Sequence, residues 1–382
     1  MNTEAMSTRL TDGREHWVEL LERLTNIEGG TEMVDGVAEV GRIVASELAE
    51  LGFAVELVDG GAFAPHIVAQ LDGPGRPIVL GGHLDTTYTD YAPLPAFALD
   101  PPRAVGPGTA DMKGGVVCFL VALDAMAHAG LLGRCPIAVL FNSDEERGAP
   151  TSRDLFRQWT GRARAALFGE AGAHDGQVVT GRRAKLSYRL DVAGVAGHAG
   201  GRTGTRASAL LDLSHRVIAI EGLNERFEDT AVNVGRAWGG VASNTIPADA
   251  TALIDIRYPR ADQKEPIEEA MTEEQHVPQC SATLTLTSFR PAWPENEGSR
   301  ALAEMVRQIG ARSGQEIATI HGGGTSDANW FGAEGVPALD GLGPIGFGHH
   351  TPDEYILLDT LFDRALLVAE LVTALADATL PR

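Results

Sequence analysis

Apolar positions recur every three or four residues from 35 to 51. Val37, Val40, Val44, Leu48 and Leu51 share one helical face there, and Gly52 is placed to end it. Residues 17–27 read as a second, shorter helix. Short apolar runs at 53–58, 67–71 and 77–82 read as strands. A helix over 112–129, a strand at 137–142, a helix near 152–159 and a strand at 165–168 follow. Strands alternating with helices predict an α/β sheet covered on both faces.

The pattern changes near Gly181. Residues 185–192 alternate polar and apolar, as a half-exposed antiparallel strand does. A helix over 205–221, strands at 231–238 and 250–257, a helix over 262–274 and a strand at 282–289 complete a β-α-β-β-α-β order, the ferredoxin-like split sandwich. The α/β pattern resumes after Pro294 with a helix at 299–313, a strand at 316–320, a Gly-rich turn and a final helix at 359–376. The expectation is therefore a mixed sheet flanked by helices, built from residues 1–180 and 291–382, with an inserted domain at 181–290. The longest irregular stretch, 86–111, is rich in Pro and Gly, and loops of that length in compact domains tend to be functional.

A chain of 382 residues fits about two domains. Its formal net charge of −21 repels nucleic acid and anionic membrane, so neither is an expected partner. Cys118, Cys135 and Cys280 are odd in number and lack CxxC spacing, which supports neither a disulfide framework nor a thiolate metal site. The segment 1–14 is polar without an apolar signal region. The longest apolar run, 115–129, is broken by Asp124 and too short to span a bilayer. The expected location is the reducing cytoplasm.

Four strand ends carry acids or imidazoles. The strand at 77–82 runs into His83-Leu84-Asp85, and a Gly-Pro-Gly turn ends in Asp111. The strand at 137–142 runs into Asp144-Glu145-Glu146, and the strand at 165–168 into Glu170. Ligands of open α/β sheets bind at the carboxyl ends of strands, so these groups are expected to converge. Imidazole plus carboxylate suits zinc, cobalt or manganese. In His83-x-Asp85 one ring nitrogen is free for metal while the carboxylate holds the other N–H. Two adjacent glutamates divide into a ligand and a base. Just past a strand end, extended neighbours point opposite ways, so only one of Glu145 and Glu146 is expected to reach the metal.

Seven motifs in order, GHLDTTY, GPGTADMKGG, NSDEERGA, FGEAG, GHAG, GGGTSDANW and GFGHHTPDEY, resemble the co-catalytic di-zinc carboxypeptidases and aminoacylases. That family holds the bacterial glutamate carboxypeptidases, acetylornithine deacetylases and succinyl-diaminopimelate desuccinylases. The resemblance covers nearly the whole chain and is closest to glutamate carboxypeptidase, through NSDEERG followed by SRDL and GFG before the last histidine. It implies two divalent ions, zinc foremost, with Asp111 bridging. His83 and Glu170 complete one site and Glu146 and His350 the other, with His349 as an alternative to His350. Glu145 is then the general base and proton donor, and Asp85 orients His83. His198 of the insert reaches the partner subunit's active site to hold the tetrahedral oxyanion, which implies a homodimer through the inserted domain. Asn244 contacts substrate and Arg290 holds the substrate carboxylate. The backbone of Gly322 to Thr325, Gly323 and Gly324 among them, is read as a carboxylate-binding turn at a helix start, and His321 as a further substrate contact. Gly114 and Gly115 let a helix start pack close to the metals. His16, His66, His128, His174, His215 and His276 are read as non-functional, and Asp124 and Cys118 as plain helix residues.

The resulting expectation is a metal-dependent hydrolase that cleaves the amide bond of an N-acyl amino acid or short peptide with a free carboxylate. Hydrolytic deamination or carbamoyl hydrolysis on the same site, and a catalytically inactive binding protein, are the rival readings. Tyr88, Tyr91 and Phe97 in the 88–103 loop are placed to shape a pocket for an aromatic group.

Overall fold

The computed structural model describes residues 2–88, 95–173, 175–201, 206–272 and 277–381. Tyr91, His174, Thr205 and His276 lie outside these described residues. Two compact units emerge. One comprises Met1–Gly181, Glu295–Gly322 and Ser326–Arg382; the other comprises Arg182–Pro294 and Gly323–Thr325.

The first unit is built on a six-stranded mixed sheet. Its strands are β1 (Ala54–Val58), β2 (His66–Leu71), β3 (Ile78–His83), β4 (Ile137–Asn142), β5 (Ala165–Phe168) and the short strand Ala338–Leu339, in spatial order β1-β2-β4-β3-β5 and then 338–339. The last four in that order run parallel, and β2 is antiparallel to both its neighbours. Every residue of β3, β4 and β5 is buried, as continuous apolar runs covered on both faces require, whereas β1 is a half-exposed edge. Register pairs His83 with Asn142 and Gly81 with Phe168. The carboxyl ends of β3, β4 and β5 therefore lie side by side.

The helix Gly114–His128 is apolar nearly all round and buried in the core. Its first turn approaches the end of β5 so closely that a Cβ on Gly115 would lie 1.8 Å from the Gly169 carbonyl oxygen. A wide turn at Thr109–Lys113 delays its start by two residues relative to the expected Met112. The polar N-terminal segment forms a helix, Asn2–Asp12, that sequence reading did not anticipate; Met6 and Leu10 bury its inner face. The irregular stretch after Thr86 includes a hairpin, Ala98–Asp100 with Arg103–Val105, which pairs onward with Tyr355–Leu357.

The second unit holds β6 (Ala184–Ala193), β7 (Ala231–Gly239), β8 (Asp249–Tyr258) and β9 (Ser281–Arg290) in the antiparallel order β7-β8-β6-β9. Helices Ala209–Glu221 and Lys264–Thr272 complete the β-α-β-β-α-β order. Alternate residues of β6 are buried, and Leu186, Tyr188 and Leu190 form the unit's core with Ile254, Ile256, Leu213, Ile220 and Ile267. Ser208 caps the first of these helices by accepting from the Leu211 N–H at 3.3 Å.

Candidate metal centre

His83 closes β3 and is 1% exposed. Its Nδ1–H donates to the Asp85 carbonyl oxygen at 2.9 Å, with Asp85 Oδ1 at 3.4 Å, and this turns Nε2 toward the acidic cluster. Nε2 lies 3.0 Å from Asp111 Oδ1 and 3.7 Å from Glu170 Oε1. The other Asp111 oxygen, Oδ2, lies 3.0 Å from His350 Nε2, which is 3.7 Å from Glu146 Oε2. Asp111 thus stands between two groups, His83 with Glu170 on one side and His350 with Glu146 on the other. His349 is more remote, with Nδ1 3.9 Å from Asp111 Oδ2. His350 takes φ 62°, in the left-handed region that few non-glycine residues adopt.

Asp85 is fully buried and does more than orient a ring. Its oxygens accept from Thr31 Oγ1 at 2.8 Å and from the N–H groups of Glu145 and Glu146 at 3.3 and 3.2 Å. The two glutamates do not sit on extended chain as expected; they occupy a 3-10 turn, Glu145–Arg147, closed by Gly148 at φ 88°. Asp144 holds that turn from below. Its carboxylate accepts from Thr151 N–H at 2.7 Å, Thr151 Oγ1 at 2.6 Å, Ser152 Oγ at 2.5 Å and Asn142 Nδ2 at 3.2 Å.

Burial pushes the carboxyls of Glu146 and Glu170 well above the usual range, and the negative charge of Asp111 adds to it. Burial would raise Asp111 too, but hydrogen bonds from His350 and His83 override it and hold that carboxyl far below normal. For His83, burial opposes the charged ring, while Asp111 and Asp85 raise it well above an ordinary histidine. Three carboxylates packed this closely call for a cation or shared protons. His83, Asp111 and Glu146 each offer one donor atom, all within 4.8 Å of one another. Glu146 Oε1 is buried without a hydrogen-bond partner. This donor set, imidazole and carboxylate without thiolate, fits a divalent metal of the zinc class.

The other expected site residues, His321 apart, lie in the second unit. His198 is exposed on the short strand Gly197–His198, which pairs with Thr245–Ile246, and the Ala199 N–H donates to the Asn244 carbonyl at 2.9 Å. His198 and Asn244 are therefore brought together. Arg290 ends β9 opposite Lys185 and is 1% exposed. Gly323 and Gly324 are exposed, but they do not open a helix. The next helix, Ala328–Ala333, begins beyond Ser326 and Asp327 and is only six residues long, so the helix-start reading of this turn is corrected. His321 lies on the strand Thr319–Gly322 in the first unit.

Sequence reading missed Glu354 and Lys113, and it read Tyr88 as a pocket wall, whereas Tyr88 is buried with its hydroxyl on Glu354 and the Thr351 carbonyl. Glu354 is buried and accepts from the N–H groups of Gly108, Ala110 and Asp111. Lys113 is buried with Nζ donating to the carbonyls of Leu24 and Ile27, and burial pulls it down to about 8. All three are embedded in or beside the quoted motifs; only their burial, invisible in one sequence, marks them.

Residues 79–374 match the family described as peptidase family M20/M25/M40. Carboxypeptidase G2 of Pseudomonas sp. strain RS-16 is 31% identical over 376 residues, 95% of this chain and 90% of that protein. The succinyl-diaminopimelate desuccinylase of Xanthomonas campestris pv. campestris strain B100 is 30% identical, over 82% of this chain and 87% of its own. Among solved structures, an M20 family metallo-carboxypeptidase from Sulfolobus solfataricus superposes with TM-score 0.77 at 16% identity, covering 95% of this chain and 99% of that one. The chain belongs to peptidase family M20/M25/M40 and is a metal-dependent hydrolase.

Proposed function

We propose that this enzyme hydrolyses the amide bond of an N-acyl amino acid or short peptide that carries a free carboxylate, in the manner of carboxypeptidases and deacylases. The observation that carries this reading is Asp111, whose two oxygens face His83 and His350 on opposite sides. Two divalent ions, zinc by donor chemistry, would be held by His83, Asp111 and Glu170 and by Asp111, Glu146 and His350. When bound they polarise an amide carbonyl and make water acidic near neutral pH.

The protein's own groups do the rest. Asp85 fixes the His83 tautomer and, through the two amides it accepts, the stance of the glutamate turn. Glu145 is assigned as the base: one of its carboxylate oxygens takes a proton from the attacking water. The same proton then goes to the amide nitrogen, so the C–N bond breaks with a neutral amine leaving. His198 is assigned to donate a hydrogen bond to the tetrahedral oxyanion, from the partner subunit. Arg290 is assigned to the substrate carboxylate, whose two oxygens its fork matches. Asn244, Gly323 and Gly324 are assigned to substrate contact.

Assembly as a homodimer through residues 181–290 is part of the proposal. Leu211 at 50%, Ile218 at 72% and Val241 at 87% exposure give the second unit an apolar surface, and β7 is an open sheet edge. A cytoplasmic setting fits three buried, unbridged thiols. Turnover should be scanned on a panel of N-acyl amino acids and dipeptides with free and amidated C-termini, before and after chelation. The reading predicts activity only on free carboxylates, lost with the metal and restored by zinc or cobalt. Equal turnover of amidated substrates, or full activity without metal, contradicts it.

A further inference from the structure

We infer that Glu354, anchored by Tyr88, is a positioning residue that joins the two loops carrying Asp111 and His350, and so sets the stance of the bridging carboxylate. The inference rests on the two-ion reading above. Glu354 sits four positions after His350 and is 1% exposed. Its Oε1 accepts from the N–H groups of Ala110 at 2.7 Å and Asp111 at 2.8 Å. Its Oε2 accepts from Gly108 N–H at 2.9 Å and from the Tyr88 hydroxyl at 2.5 Å. The Glu354 carbonyl accepts a further bond from Gly106 N–H at 2.9 Å. The Tyr88 oxygen also lies 2.8 Å from the carbonyl of Thr351, between His350 and Glu354.

Four donors fill the lone-pair sites of one carboxylate. Both oxygens face backbone N–H groups, so a glutamine in either flip would turn its NH2 against at least one of them. The isosteric change therefore breaks the clamp without changing its volume. A buried negative charge beside Asp111 costs energy, and the convergence of three backbone N–H dipoles offsets it. The carboxylate thus holds the backbone of Asp111 directly and the His350 loop through its own chain. Both halves meet at the Asp111 Oδ2 contact with His350 Nε2.

The test uses the full-length protein, stripped of metal and titrated with Co2+ by calorimetry, with bound ions counted. The unfolding temperature of each stripped protein is measured alongside. Wild type should take up two ions. Glu354→Gln should weaken uptake about 10- to 100-fold, the range for groups that orient metal ligands, with turnover returning at saturating Co2+ and KM little changed. Tyr88→Phe keeps the three backbone bonds and should weaken uptake several-fold in the same direction; it decides the matter if Glu354→Gln does not fold. Wild-type affinity for both ions in these variants, whatever their unfolding temperatures, reduces Glu354 to a packing role and overturns the inference. Failure of wild type to bind two ions instead overturns the two-ion reading itself, and this inference with it.

Discussion

Glu145 and Glu146 are one position apart, yet their surroundings differ. Glu146 has a buried, unbonded oxygen among ligand groups, while both residues hang from Asp85 by their amides. Glu145→Gln keeps size and removes the base. It should lower turnover at least about a hundredfold while both metals stay bound. Glu146→Gln removes a charged ligand and should weaken metal binding about tenfold or more. Elemental analysis beside turnover numbers checks both; metal lost from the first and kept by the second would reverse the two roles. The raised groups also give the metal-free protein a pH signature. Glu146 and Glu170 bind protons more tightly folded than unfolded, and so does His83. Above their ordinary values the native state holds the extra protons, so stability falls as pH rises from about 4.3 for the glutamates and about 6.5 for His83 through the raised values. Thermal unfolding in chelator at rising pH, from the ordinary glutamate range upward, should show that fall, and its absence would argue against the tight carboxylate cluster.

At the scale of elements, the centre depends on close backbone approach and on one saturated turn. Gly115→Ala would drive a methyl into the Gly169 carbonyl, next to Glu170, whereas Gly161→Ala meets open space. Denaturant unfolding should show the first losing about 2 kcal/mol or more and the second almost nothing; equal effects would contradict the close packing. Asp144→Ala removes the acceptor of the Thr151 and Ser152 amides and hydroxyls, and should cost about 3 kcal/mol. Much of this was legible beforehand. The apolar runs of β4 and β5 were read at their observed limits, because strands buried on both faces are continuous apolar runs, while the equally buried β3 was read one residue early because it ends on the polar His83. The Asn2–Asp12 helix was not, because only Met6 and Leu10 mark its buried face. His83, Asp111, Glu146, Glu170 and His350 could be picked out because they are chemically distinctive residues in ordered motifs. Glu354 and Asp144 could not, because nothing in their spelling distinguishes a buried carboxylate from a solvated one. The turn at 145–147 and the distance of Gly323 from the next helix depend on backbone geometry set by Gly148 and by Ser326 and Asp327.

For the whole molecule, the formal net charge is −21, and no helix among the described residues is long and apolar enough to cross a membrane. If His198 acts from a partner subunit, chains with His198→Ala and chains with Glu145→Ala should each be nearly inactive alone. Mixed and reassembled, they should regain about a quarter of wild-type activity by statistical pairing. A fully active monomer in sedimentation would contradict that arrangement. The central claim, a two-ion centre bridged by Asp111, is tested most directly by anomalous diffraction at the zinc edge from crystals of the zinc-loaded enzyme. The account predicts two peaks about 3.5–4 Å apart, one beside His83 and Glu170, the other beside Glu146 and His350, with an Asp111 oxygen on each. A single peak, or ions held without Asp111, would contradict it.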